Sequence, residues 1–94
     1  MIIVSGHITI RAGKRPAFLK ASQEAMKSAR AAPGCRDFIV SADPIEEDRV
    51  NVYEEWDSQK AMLAFRGDGP DSGMTEMIVD ANVRRHSVRK SGPA

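Results

Sequence analysis

RVNVYEEWDSQKAMLAF, residues 49–65, is the stretch whose reading decides the fold. From Arg49 to Trp56 the residues alternate, with Val50, Val52 and Trp56 on one side and Asn51, Tyr53 and Glu55 on the other. A period of two is the pattern of a strand with one buried face. Asp57 and Ser58 follow, and either side-chain oxygen can accept a free backbone N–H at a helix start. Ala61, Met62 and Phe65 then recur at helical spacing, as the buried side of a short helix would.

Upstream, residues 35–42 (CRDFIVSA) read as another strand, joined to the first by a loop of Asp43, Pro44 and the acidic run Glu46, Glu47 and Asp48. Before it, Phe18, Ala21, Ala25, Ala29 and Ala32 lie on one helical stripe, widened by Leu19 and Met26, with Lys20, Gln23, Glu24, Lys27 and Arg30 opposite. Pro16 fits the first turn of that helix, and Pro33–Gly34 stops it. At the start of the chain Ile2, Val4, Ile8 and Ile10 alternate with Ile3, Ser5, His7 and Thr9, which is a further strand. Downstream, residues 67–73 (GDGPDSG) form a loop by composition, and Met74, Met77 and Ile78 suggest one short helical turn. A last strand is predicted over about residues 81–89, with 91–94 a frayed tail.

The expected order is β–α–β–β–α–β within one domain, residues 1–90. Two crossover helices then lie on one face of a four-stranded antiparallel sheet, an α+β ferredoxin-like sandwich. The other sheet face would carry Ile3, Ile39 and Tyr53 among polar residues, too apolar to leave in water. A second copy is the simplest cover, so a homodimer is expected.

Composition narrows the function. With 94 residues, 41% of them hydrophobic, the chain can build one modest core and is too apolar for a disordered tail. A net charge of +1 supplies no field to collect nucleic acid, and 5% aromatic residues are too few for a base-stacking surface. The single cysteine, Cys35, cannot form an internal disulfide. The first ten residues have no basic segment of the signal-peptide kind, and no apolar run approaches the roughly 20 residues of a membrane span. A cytoplasmic protein without membrane attachment is the expectation.

No strong catalytic motif stands out. GDGPDSG lacks the Gly-Lys-Ser/Thr of a phosphate cradle and has no strand before it. DPIEEDR has no glycine at the sharp turn of a calcium loop, so a solvated hairpin loop is the better reading. His7 and His86 are far apart with no other ligand at metal spacing, so no metal site is expected. Cys35 beside Arg36 is either a slightly favoured thiolate or a half-buried small residue. Arg84, Arg85, His86, Arg89 and Lys90 either protect an edge strand or bring Arg85 or His86 to an anionic or phenolic ligand. Trp56 is either a core plug or a pocket wall with its N–H turned to a ligand. Asn51 and Tyr53 carry polar groups on the same strand, which need water, a partner subunit or a ligand.

Gly13–Lys14 before the first helix, Pro33–Gly34–Cys35 before the second strand, and Tyr53–Glu54–Glu55–Trp56 followed by a helix resemble the antibiotic biosynthesis monooxygenase domain. The likeness runs from the first strand to about Phe65 and resumes weakly in VRRHSV. It implies a dimeric α/β barrel, and in some members oxidation of hydroquinones or anthrone-type phenols by O2 without metal or flavin. A related branch binds and degrades haem through a histidine shortly after the second helix. Thr75 stands near that position here, so haem ligation is not expected. Family members often carry a histidine where this chain has Phe65 and a tyrosine where it has His86.

The function expected on these grounds is oxidation of a small hydroxylated aromatic by O2 with no cofactor. Met62, Phe65 and Met74 would be apolar walls, with Tyr53 also against the substrate. Asn51, the Trp56 N–H and Arg85 would be donors to a developing oxyanion, and His7 or His86 the base. A ligand-binding module without turnover and a purely structural dimer are the alternatives. An RNA-recognition domain shares the element order, but RVNVYEEW lacks its aromatic-rich strand motif.

Overall fold

The chain folds as β1 (Ile2–Ile10), α1 (Arg15–Arg30), β2 (Cys35–Ala42), β3 (Arg49–Trp56), α2 (Gln59–Arg66), α3 (Ser72–Glu76) and β4 (Ile78–Ser87). This is a computed structural model that describes residues 1–67 and 72–94, without the side chain of Ser72. Most of the glycine-rich loop expected at 67–73, and with it the phosphate-cradle question, lies outside the described residues.

The strands form one antiparallel sheet in the order β2-β3-β1-β4, with the helices on one face. Register settles the faces. Ile2, Val4 and Ile8 of β1 stand opposite Trp56, Glu54 and Val50 of β3 and share the helix side; Ile3, Ser5 and His7 stand opposite Glu55, Tyr53 and Asn51 on the open side. Ile3, Ile39 and Tyr53 therefore do share the face away from the helices.

Local chemistry places the helices. Ser58 caps α2 by accepting the Ala61 N–H at 3.1 Å, the second of the two caps foreseen. Gly34, at φ +82°, turns the chain from α1 into β2, and a Cβ there would lie 2.6 Å from the Ala61 Cβ. Its carbonyl accepts the Asp57 N–H at 2.7 Å, which ties the start of α2 to the end of α1. Along α1 the buried residues are Phe18, Ser22 and Ala29, whereas Ala21 is exposed. The buried stripe is thus rotated from the all-alanine line by one position at its centre. Ser22 is tolerated there because its Oγ donates to the Phe18 carbonyl at 2.8 Å.

One boundary moves. The last strand begins at Ile78 and ends at Ser87, not over 81–89, and the helical turn stops at Glu76. Backbone pairing overrides the side-chain pattern here: Ile10 stands opposite Ile78 across a bulge, and the Arg11 N–H reaches the Met77 carbonyl at 2.8 Å. No helix among the described residues is long and apolar enough to cross a membrane.

The core lies in two parts between sheet and helices. One gathers Ile2, Val4, Ala29, Phe38, Trp56 and Met62; the other gathers Ile10, Phe18 and Val50. Between them β1 has Gly6, which adds no side chain.

Candidate active site

Residues of both core parts line a cavity of about 580 Å³ between α1, the end of α2 and the helix side of the sheet. Its walls are mainly apolar: Phe18 from α1, Phe38 and Val52 from the strands, Phe65 from α2 and Met74 from α3. Among the described residues two charged ones reach it, Glu54 and Arg66. An apolar hollow with few polar groups is the usual form of a small-molecule site. A more open hollow of about 620 Å³ lies where α1 ends and α2 begins, lined by Pro33, Gly34, Asp57 and Lys60 among others. Its carboxylate is occupied, since Asp57 accepts the Arg36 Nε–H at 2.6 Å on the exposed surface.

Glu54 is the unusual residue of the 580 Å³ cavity. It has the parity of Val52 and Trp56, so the strand delivers its carboxylate to the helix side, where it is 6% exposed. The Trp56 indole N–H donates to its Oε1 at 2.8 Å, and the Arg66 guanidinium lies 3.6 Å from its Oε2. Trp56 itself is fully buried, tilted against Phe65 at 5.4 Å and edge-on to Phe38 at 6.5 Å. Its indole is thus a core plug whose N–H is taken by Glu54, and the pocket-wall reading gives way to that geometry.

The residues nominated from sequence divide between the two sheet faces. Phe65 and Met74 line the cavity, and Met62 is fully buried in the core part that also holds Trp56. Arg85 shares the helix side, opposite Val4, but is exposed on the outermost strand. His7, Asn51, Tyr53 and His86 lie on the open face. There His7 and Asn51 are cross-strand partners, while His86 stands opposite Ile3. Asn51 is already engaged, its amide donating to Asp43 Oδ1 at 2.8 Å and its oxygen accepting the Arg49 Nε–H at 2.8 Å.

Electrostatics separate these groups further. Asp43 is held down to about 2 by the Glu46 N–H first, then by the Asn51 amide, the Ile45 N–H and the Arg49 charge. Arg15 completes that corner by donating to the carbonyls of Asp43, Glu46 and Arg49 at 3.1, 3.0 and 3.2 Å. Burial pushes the Cys35 thiol up, and the Glu54 charge adds to the effect, so the favoured-thiolate reading fails; Arg36 is turned to Asp57 instead. Burial also raises the Tyr53 hydroxyl, with Glu55 adding to it. Among the described residues no cluster of histidine, cysteine or carboxylate is suited to a metal ion.

Among the described residues, Glu54, Arg66 and Ser22 are polar residues of the cavity that the sequence alone did not single out. For Glu54 the signal was present: one carboxylate in phase with Val50, Val52 and Trp56 on a strand face otherwise apolar. Arg66 stands four residues after the buried Met62 and so returns toward the same helix side.

The family model described as antibiotic biosynthesis monooxygenase matches residues 1–69. No curated protein sequence matches the chain. Among solved structures, a protein of Deinococcus radiodurans that carries the same family name superposes with a TM-score of 0.81 at 18% identity, covering 100% of this chain and 98% of that one. Another so named, from Nitrosomonas europaea, gives 0.80 at 13% identity over 96% and 100% of the two chains. A third, from Chloroflexus aurantiacus, gives 0.74 at 21% identity over 99% and 96%. At these identities the superpositions speak for the fold, and the match over residues 1–69 places the chain in a family: it belongs to the antibiotic biosynthesis monooxygenase family.

Proposed function

We propose that this protein oxidises a small hydroxylated aromatic, of the hydroquinone or anthrone kind, with O2 as the oxidant, inside the cavity between the helices and the sheet. The observation that carries the reading is the cavity itself: about 580 Å³, walled by Phe18, Phe38, Phe65 and Met74, with one carboxylate and one guanidinium as the charged groups that line it among the described residues. A flat ring fits an apolar slot of this size, and exclusion of water strengthens each polar contact made inside it. For a hydroquinone the balance is simple. The ring loses two electrons and two protons to become a quinone, and O2 takes both to become hydrogen peroxide.

The working unit in this proposal is a homodimer closed through the open sheet face. Ile39, 36% exposed there, and the half-buried Ile3 and Tyr53 support it, because an apolar face flanked by polar residues is stabilised by a second copy. Light scattering at micromolar concentration should give twice the chain's 10.3 kDa. A mass of one chain at every concentration rules the dimer out.

Oxygen uptake with a panel of hydroquinones and anthrones tests the chemistry. Catalysed uptake above the spontaneous rate, absent under anaerobic conditions, is the expected result. Binding without any catalysed uptake across the panel rejects the enzymatic reading and leaves a ligand-binding module.

A further inference from the structure

A carboxylate facing an apolar cavity is costly unless its oxygens have partners. In Glu54, Oε1 is held by the Trp56 N–H at 2.8 Å. Oε2 faces Arg66 at 3.6 Å, beyond hydrogen-bond length, and is the oxygen left to meet a ligand in the cavity that Glu54 lines. Neither histidine is on this side of the sheet, since His7 and His86 stand on the open face. Glu54 and Arg66 are the ionisable side chains lining the cavity among the described residues, and Arg66 is a poor proton acceptor.

From this geometry we infer that Glu54 determines the specificity of the cleft: its Oε2 accepts the O–H of a neutral, hydroxyl-bearing aromatic ring whose apolar body rests against Phe18, Phe65 and Met74. The inference rests on the cavity being the substrate site, as proposed above. It adds what selects the substrate there, a hydroxyl donor rather than ring shape alone. The same contact supplies the first chemical step. The ring O–H bond breaks, the proton binds Oε2, and the bonding pair stays on the ring oxygen as a phenolate. Net charge in the cavity is unchanged, because the negative charge moves from Glu54 to the ring oxygen while Arg66 stays nearby. The indole N–H keeps the carboxylate from rotating, so Oε2 points at the same place through the step.

The test uses 2-naphthol and naphthalene, which differ by one hydroxyl. Trp56 is the only tryptophan, so its indole N–H resonance, one bond from the Glu54 contact, reports binding in an NMR titration. The unmodified protein should bind 2-naphthol at least about tenfold more tightly than naphthalene, the effect of a hydrogen bond to a charged acceptor. Glu54→Gln, whose amide oxygen still accepts the indole N–H, should erase that preference while naphthalene binds as before. Glu54→Asp withdraws the carboxylate by one methylene and should weaken 2-naphthol selectively, which covers the case of a Gln variant that does not fold. Equal binding of both probes by the unmodified protein, or a preference that survives Glu54→Gln, overturns the role of Glu54 and leaves the cavity reading intact. If neither probe shifts the Trp56 resonance, the cavity reading fails as well.

Discussion

Replacing Trp56 by phenylalanine removes an indole ring that is fully buried and an N–H that donates to a nearly buried carboxylate. Three losses follow. The void left by the missing ring atoms, about 40 Å³, costs about 1 kcal/mol at the rate observed for core cavities. The smaller apolar surface withdrawn from water costs about 1 kcal/mol more. Leaving Glu54 Oε1 without its donor costs a further 1–2 kcal/mol or so, since a buried acceptor loses its compensation for desolvation. The variant should therefore be about 3–4 kcal/mol less stable, measured by urea denaturation followed by far-ultraviolet circular dichroism. The polar share can be isolated with Glu54→Gln in both backgrounds. That substitution should cost less in the Trp56→Phe protein than in the unmodified one, with a coupling of about 1 kcal/mol. A loss below about 1 kcal/mol, or strictly additive effects, would refute the view of Trp56 as a plug anchored to Glu54.

Three further outcomes are expected. Arg15→Ala strips donors from the carbonyls of Asp43, Glu46 and Arg49, and should cost about 1–2 kcal/mol with faster amide exchange confined to the β2–β3 loop. Asp43, held near 2 against an ordinary value of 3.8, contributes stability that is fully present above pH 3.8 and is lost as the pH falls through about 2. Urea melts should show that acid loss, and Asp43→Asn should flatten the dependence over the same window. Gly6→Ala places a Cβ 2.0 Å from the Asn82 carbonyl oxygen at a φ of +152°, so β1 and β4 must part; loss of exchange protection along β4, with β3 less affected, is the expected mark.

The strands were legible because alternation is carried by side chains, as in Val50, Val52 and Trp56. The start of β4 was not, because Val79 is 59% exposed and the ladder there begins with a backbone bond from Arg11 to Met77. Alternation along β4 puts Arg85 on one face and Arg84 with His86 on the other, yet periodicity says nothing of which face holds a cavity. That depends on how the helices sit, and so on contacts such as Gly34 against Ala61. Glu54 stayed hidden for a related reason. Between Tyr53 and Glu55 it reads as part of a polar run although it is in phase with Val50, Val52 and Trp56, and the pairing with Val4 and Phe38 fixes it on the helix side.

β1 is bonded along its length to β3 on one side and to β4 on the other. The first strand of this domain to be made is therefore the axle of its sheet, and both of its partners, β3 and β4, are made later. A nascent chain can form α1 and the β2–β3 hairpin early, since these are local. It cannot complete the sheet until Ile78–Ser87 has emerged, and until then β1 exposes a row of unpaired N–H and C=O groups to any other strand in reach. The interval before β4 arrives is thus the time in its life when this protein is most open to mispairing. A second nascent copy carrying the same β4 is the most closely matched wrong partner.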